Sequence, residues 1–224
     1  MASNTTEFTH PRWDEMWTKG IQPGQAFDAN CASPLLVKLK NEGLIPSGKA
    51  LIPGCGRGYD VTLLASENRV AIGLEIAPLA VEAAKQRLEN LNIEEFPYKH
   101  NAHFHLQSFF DIMPKNDEEK FDFIYDYTFL CALDPSVRED WARQMANLVK
   151  PNGILLTLIF PINVNKVGGP PFAVSLEGVK GLLEPVGFEC LELDMLPSEL
   201  SHPNRDGSEG AHGASGVGRW RRIP

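Results

Sequence analysis

Three alternating glycines and one distant acid are the residues whose types and spacing could do chemistry. Gly54, Gly56 and Gly58 follow a short β-rich run, and Glu75 ends the next such run. Glycine lets a ligand approach the backbone because it has no Cβ, and it accepts the φ angles of a sharp turn. A carboxylate can accept two hydrogen bonds from the vicinal hydroxyls of a ribose. The pattern therefore predicts a site for a ligand that contains a nucleoside.

The spacing of the glycines separates two ligands of this kind. A dinucleotide site expects G-x-G-x-x-G, whereas residues 54–58 read G-x-G-x-G. We therefore favour S-adenosylmethionine (SAM), which has no pyrophosphate to place at a helix N-terminus, over NAD. The sequence also lacks the Tyr-x-x-x-Lys pair of an NAD-dependent reductase.

These residues need a scaffold of alternating strands and helices. Short β-rich runs at 49–53, 70–74, 104–107, 121–125 and 154–160 alternate with helical stretches at 59–67, 78–88 and 135–150. This order predicts an α/β fold with a mostly parallel sheet. A helix at 176–184 and a strand at 188–195 follow. Residues 218–223 are predicted to close a seven-stranded sheet as an antiparallel last strand.

The ends of the chain differ from this core. Residues 1–47 are predicted to form an N-terminal lid segment with a helix at 34–41, lying over the carboxyl edge of the sheet. Residues 48–224 would then form the main domain, and 198–216, rich in Gly, Ser, His and Pro, a mobile loop within it.

Composition excludes several classes of protein. A net charge of −8 and a pI near 5.3 disfavour a nucleic-acid partner, because such binding depends on Lys and Arg. No apolar run is long enough to span a membrane, and residues 1–20 have no signal-peptide pattern. We therefore expect a cytoplasmic monomer. Its four widely spaced cysteines are expected to be free thiols, and the histidines at 100, 103 and 105 to bind no metal.

Eight stretches of the chain carry a family resemblance: WDEMW at 13–17, LIPGCG at 51–56, GLEI at 73–76, FDFIYDYTFLCA at 121–132, KPNG at 150–153, GGPPF at 168–172, PVGF at 185–188 and RWRR at 219–222. In these stretches the chain resembles the thiopurine S-methyltransferase superfamily, and within it the plant and fungal halide/thiol methyltransferases of the "harmless to ozone layer" type. The resemblance implies a class I SAM-dependent methyltransferase with a Rossmann-like fold. It also implies transfer of the SAM methyl group to a halide, thiocyanate, bisulfide or small thiol.

The resemblance also implies which residues form the site. Tyr127, at the end of the fourth strand, would act as a catalytic residue that orients the acceptor. Independently of the resemblance, we expect the neighbouring Asp126 to assist it as a second catalytic residue. The chain departs from the plant type at 27–30, where it has FDAN instead of WDQG, in a segment that helps to wall the acceptor pocket. The residues implied to bind SAM, with S-adenosylhomocysteine as its product, are Trp13, Trp17, Phe27, Gly54, Glu75, Ser108 and Phe109. We expect Gly56, Asp60 and Ile76, which neighbour the glycine turn and Glu75 in the sequence, to bind it too.

Other interpretations of these residues stay open at this point. Trp13 and Trp17, four apart, could form the core stripe of a helix. Asp60 could be a first-turn helix acid, Asp126 could cap a turn, and Tyr127 could be an ordinary strand-end aromatic residue. The alternative function is S-methylation of a bulkier thiol or a thiopurine-like compound. A nucleic-acid methyltransferase and a non-catalytic SAM-binding protein are less favoured.

Overall fold

The strands form where short, β-branched and apolar runs can be buried on both faces of a sheet. The computed structural model describes residues 11–201 and 214–224. Within them one sheet has the order β3-β2-β1-β4-β5-β7-β6, in which β1 to β5 pair in parallel and β7 is antiparallel to both β5 and β6. The strands are β1 (Gly48–Pro53), β2 (Arg69–Glu75), β3 (Ala102–Leu106), β4 (Phe121–Tyr127), β5 (Val149–Ile162), β6 (Phe188–Met195) and β7 (Ala214–Arg222).

The helices begin at residues suited to a first turn. Proline opens α2 and α4, where its missing N–H costs no hydrogen bond. The Ser175 hydroxyl caps α6 by accepting the N–H of Gly178 at 3.0 Å. The helices are α1 (Pro11–Thr18), α2 (Pro34–Asn41), α3 (Tyr59–Leu64), α4 (Pro78–Asn90), α5 (Arg138–Leu148) and α6 (Leu176–Leu183).

The core lies on both faces of the sheet. Alternate residues of β1 point to opposite sides, so Ala50 and Ile52 belong to one buried cluster and Leu51 to the other. Leu35 and Leu36 of α2 are buried in the first cluster. The helix therefore packs on a face of the sheet, and the expectation that it lies over the carboxyl edge was wrong.

Several predicted boundaries were also wrong by a few residues. The helix expected from Pro135 to Lys150 begins as a 3-10 turn and ends at Leu148, because Val149 is buried and pairs with Phe121 as the first residue of β5. A register shift between Phe121 and Phe123 then accommodates residues 151–153. The third strand begins and ends earlier than expected, at 102–106, and the helix from Tyr59 ends at Leu64.

The last strand begins at Ala214, four residues before the predicted start. Most of the loop predicted at 198–216 lies outside the described residues, apart from a 3-10 turn at Ser198–Leu200 and the first residues of β7. In the described ranges, no helix has the length and apolar character needed to cross a membrane. The division of the chain at residue 47 stays a prediction.

Candidate active site

A cavity of about 380 Å³ lies at the carboxyl edge of the parallel strands. Residues that end or directly follow β1, β2, β3 and β4 reach it, as expected for a ligand site in an open α/β sheet. Pro170 and Pro171, after β5, close one side. The lining is mostly apolar and consists of Trp13, Met16, Trp17, Ala26, Phe27, Gly54, Gly56, Leu74, Glu75, Ile76, Gln107, Ser108, Phe109, Phe110, Thr128, Phe129, Cys131, Ala132, Leu133, Phe160, Pro170 and Pro171.

The glycine turn at residues 54–58 forms the floor of this cavity. Gly54 has φ +61°, and a Cβ added there would lie 2.7 Å from Cδ2 of Phe129. Gly56 has φ +52°, and an added Cβ would meet nothing nearer than the Trp17 ring at 3.8 Å. Glycine is thus required at position 54 because a side chain there would clash with Phe129. At Gly56 the missing side chain leaves the backbone open to the cavity.

The carboxylate of Glu75 is held in one orientation by the backbone. One oxygen accepts the N–H of Gly56 at 3.1 Å, and the other accepts those of Ile76 at 2.8 Å and Ala77 at 3.3 Å. Burial raises the pKa of Glu75, and these three hydrogen bonds oppose that effect. The carboxylate is therefore fixed at the cavity wall next to the glycine turn, where an acceptor for ribose hydroxyls is needed.

Aromatic rings from the N-terminal segment cover the cavity. The Phe27 ring makes edge contacts with Trp13 at 5.3 Å and with Trp17 at 5.8 Å between centroids. Trp17 is buried and packs on Ala77 and Ala80, next to Glu75. Both tryptophans thus line the cavity, and Trp17 also belongs to a small core, which was the alternative interpretation of this pair.

The structure does not bring two of the predicted acids to the cavity. Asp60 is buried and accepts the N–H of Ser33 at 2.7 Å, and burial raises its pKa to about 7. Asp126 is buried too, and its oxygens accept the N–H of Leu130 at 3.1 Å and the indole N–H of Trp141 at 2.8 Å. Burial raises the pKa of Asp126 to about 6. Both carboxylates therefore hold neighbouring backbone and indole N–H groups, and their roles at the ligand stay predictions.

Tyr127 also lies outside the cavity lining. Its ring stacks on that of Tyr125, with centroids 5.8 Å apart and an angle of 18° between the planes. It packs against the cluster that contains Ala50 and Ile52, on the far side of β4 from Phe109. Tyr127 is thus not among the lining residues, whereas the next residue, Thr128, is one of them. The role of Tyr127 beside the acceptor stays a prediction.

Sequence reasoning missed 13 of the 22 residues that line the cavity. Gln107 and Thr128 follow β3 and β4 directly, so the rule that ligands bind at the carboxyl ends of parallel strands could have identified them. Phe160, Pro170 and Pro171 come from far along the chain, and no local signal marks them as neighbours of the glycine turn. The other nine predicted positions, from Trp13 to Phe109, line the cavity together.

The order of the strands, with the last one inserted antiparallel, is that of the class I SAM-dependent methyltransferase fold. Two solved structures share this fold. A SAM-dependent methyltransferase from Methanosarcina mazei has a TM-score of 0.65 and 16% identity, covering 83% of this chain and 97% of that one. The magnesium protoporphyrin IX methyltransferase from Synechocystis, solved with bound SAM, has a TM-score of 0.60 and 16% identity, covering 84% of this chain and 76% of that one.

The chain belongs to the thiopurine S-methyltransferase family, whose sequence model matches residues 8–218. It is 39% identical to a probable thiol methyltransferase 2 from Arabidopsis thaliana, over 94% of this chain and 84% of that protein. It is 35% identical, over the same shares, to thiocyanate methyltransferase 1 of that plant. It is also 32% identical to a thiopurine S-methyltransferase from Shewanella putrefaciens, over 73% of this chain and 76% of that protein.

SAM is the cofactor of this methyltransferase, and the residues present fit it. The open backbone at Gly56 allows close approach, and the Glu75 carboxylate stands beside it for the ribose hydroxyls. The apolar wall at Phe109 and Phe110 suits a flat base, and the rings of the N-terminal segment suit a cation.

Replacing Glu75 with alanine is expected to weaken binding of S-adenosylhomocysteine by about 1–3 kcal/mol, because ribose hydroxyls would lose a buried acceptor. Isothermal titration calorimetry measures this directly. Glu75→Gln keeps one acceptor oxygen and should lose less. Glu82→Ala, an exposed acid on α4, is the matched control and should bind normally. Unchanged affinity in Glu75→Ala would contradict the ribose assignment.

Proposed function

We propose that this methyltransferase transfers the methyl group of SAM to a small soft nucleophile, namely a halide, thiocyanate, bisulfide or small thiol, by in-line displacement. The observation that carries the proposal is the size of the cavity. Its 380 Å³ lies near the lower end of the range of about 300–1,000 Å³ for a ligand site. It must accept both a nucleoside cofactor and the acceptor, so little space remains for a bulky acceptor.

The chemistry of the lining supports the same proposal. Among the described lining residues Glu75 is the one charged side chain, and it stands at the ribose position. We place the acceptor at Thr128, Cys131, Phe160, Pro170 and Pro171. No side chain there can act as a general base toward it. Iodide, thiocyanate and thiolates are nucleophiles already and need orientation and exclusion of water rather than a base.

When bound, SAM supplies a methyl group on a positively charged sulfur. The aromatic faces of the cavity attract such a cation, each by about 0.5–2 kcal/mol depending on desolvation. Trp13, Trp17 and Phe27 also cover the cavity and keep water out, so an anion that enters there sheds part of its hydration. With no cationic side chain in the described lining, the charge of that anion is balanced by the cofactor.

The names of the relatives support a sulfur acceptor in particular. The two plant proteins, at 39% and 35% identity, are described as thiol and thiocyanate methyltransferases. The family name and the Shewanella proteins favour a second candidate, S-methylation of a bulkier organic thiol or a thiopurine-like compound. The two candidates differ in the size of acceptor that the cavity must admit.

The proposal is tested by incubating the protein with SAM and one acceptor at a time, and analysing the headspace by gas chromatography. We expect methyl iodide from iodide, methyl thiocyanate from thiocyanate and methanethiol from bisulfide. The control is the same reaction with Glu75→Ala. Turnover of thiophenol or a thiopurine, with no volatile product from any small acceptor, would replace the proposal by the second candidate.

A further inference from the structure

Arg57 lies inside the glycine turn, but its side chain contacts the N-terminal segment. Its Nε lies 2.6 Å from Oδ2 of Asp28, and its Nη2 donates to the carbonyl of Ile21. Its guanidinium also lies over the ring of Trp17, 5.2 Å from the centroid. All three partners belong to residues 13–30, which we call the roof segment. One side chain therefore joins the floor of the cavity to its cover.

Asp28 makes this connection a buried one. The side chain of Asp28 is 2% exposed and that of Arg57 is 15% exposed. The other oxygen of Asp28 accepts the N–H of Asn30 at 2.8 Å and that of Gly24 at 3.4 Å. The carboxylate thus shapes the loop that presents Phe27 to the cavity. Removing one partner of such a pair leaves the other charge buried and unpaired, which is strongly unfavourable.

Arg57 is absent from the cavity lining, whereas its neighbour Gly56 and its partner Trp17 are both part of it. The side chain is therefore too far back to act on a ligand directly. It acts instead on two surfaces that must enclose the ligand together. A site whose cover is closed for only part of the time binds more weakly in proportion to the closed fraction.

We propose that Arg57 is a positioning residue that holds the roof segment closed over the cofactor cavity through Asp28, Ile21 and Trp17. Binding of the cofactor between floor and roof depends on this latch, which we define as the contacts of Arg57 with those three residues. The inference concerns the cofactor site alone, so it stands or falls independently of which acceptor is methylated.

The test combines cofactor affinity with exposure of the roof tryptophans. Trp141 and Trp220 are fully buried, so acrylamide quenching of tryptophan fluorescence reports mainly on Trp13 and Trp17. In Arg57→Gln we expect stronger quenching and a Kd for S-adenosylhomocysteine raised about tenfold, as for a roof closed about one tenth of the time. Stopped-flow displacement should show that the increase lies in the dissociation rate.

The controls separate a latch from a general loss of stability. Arg69→Gln removes another buried arginine, at the start of β2, which donates to the carbonyls of Ile45, Pro46 and Leu64 and not to the roof segment. It should lower the melting temperature without changing quenching. Asp28→Asn should mimic Arg57→Gln and add little to it in the double variant. If Arg57→Gln does not fold, Arg57→Lys, which keeps the charge and loses the second donor, serves as the test with an intermediate effect.

Two results would overturn the proposal. One is quenching and affinity in the folded Arg57 variant that match those of the unmodified protein. The other is fully additive losses in Arg57→Gln and Asp28→Asn, which would show that the two side chains act through separate interactions.

Discussion

Gly54→Ala is expected to raise the Kd for S-adenosylhomocysteine by about 100-fold, which corresponds to about 2.7 kcal/mol. At φ +61° an alanine is strained by roughly 1–2 kcal/mol. Its Cβ would also lie 2.7 Å from the Phe129 ring, which packs edge-on against Phe109 with centroids 5.2 Å apart. We expect Phe129 to move into the cavity, which it lines, and to take space from the cofactor.

Gly43→Ala provides the matched control for this effect. Gly43 has a similar φ of +68°, and an added Cβ there would meet nothing within 4 Å. It should lower the melting temperature through backbone strain alone and leave affinity intact. Calorimetric titration of both variants, with thermal unfolding beside it, separates the two effects. If Gly54→Ala bound S-adenosylhomocysteine with normal affinity, Phe129 would have moved away from the cavity and not into it.

Asp60→Asn is expected to become more stable relative to the unmodified protein as pH rises from 4 to 8. Burial raises the pKa of Asp60 to about 7 in the folded protein, against the lowering effects of the Ser33 N–H and of Arg87. Since the unfolded chain has the ordinary value of 3.8, the folded state binds the proton more tightly. The stability that this proton supplies is full below about pH 4 and is lost as pH rises toward 7.

For a pKa shift of this size, the free energy of unfolding falls by about 4 kcal/mol over this pH range. Asparagine cannot ionise and still offers an oxygen to the Ser33 N–H, so its variant lacks this pH dependence. Urea unfolding of both proteins across the pH range measures the difference. A constant difference between Asp60→Asn and the unmodified protein would mean that Asp60 is ionised throughout.

The parts of the site that follow from local patterns were predictable. Gly54, Gly56 and Glu75 stand at the ends of consecutive parallel strands, and a parallel sheet brings such ends together at one edge. The alternation of β-rich runs with helical stretches predicted the seven strands, the last of them antiparallel. The helix beginning at Pro34 was also found, because proline and the apolar spacing mark it.

The other features of the site could not be predicted because they depend on contacts with distant parts of the chain. Asp126 was expected beside the acceptor because it ends β4, but its side chain points to the face where Trp141 of α5 donates to it. Side chains alternate along a strand, so a position at its end does not decide between cavity and core. Arg57 carries no signal in the glycine motif either. Its importance follows from Asp28, 29 residues earlier, and from the ring of Trp17.

The thiol of Cys131 stands in the wall of a cavity built to hold an alkylating agent. Burial raises the pKa of this thiol to about 12, and the Asp126 carboxylate adds to the effect, so the thiol is protonated at neutral pH. Because the thiolate is the reactive form, this enzyme is protected against modifying itself. The Cys131 thiol in the cavity wall thus stays in its unreactive, protonated form, whereas an acceptor that enters from solution can take the methyl group.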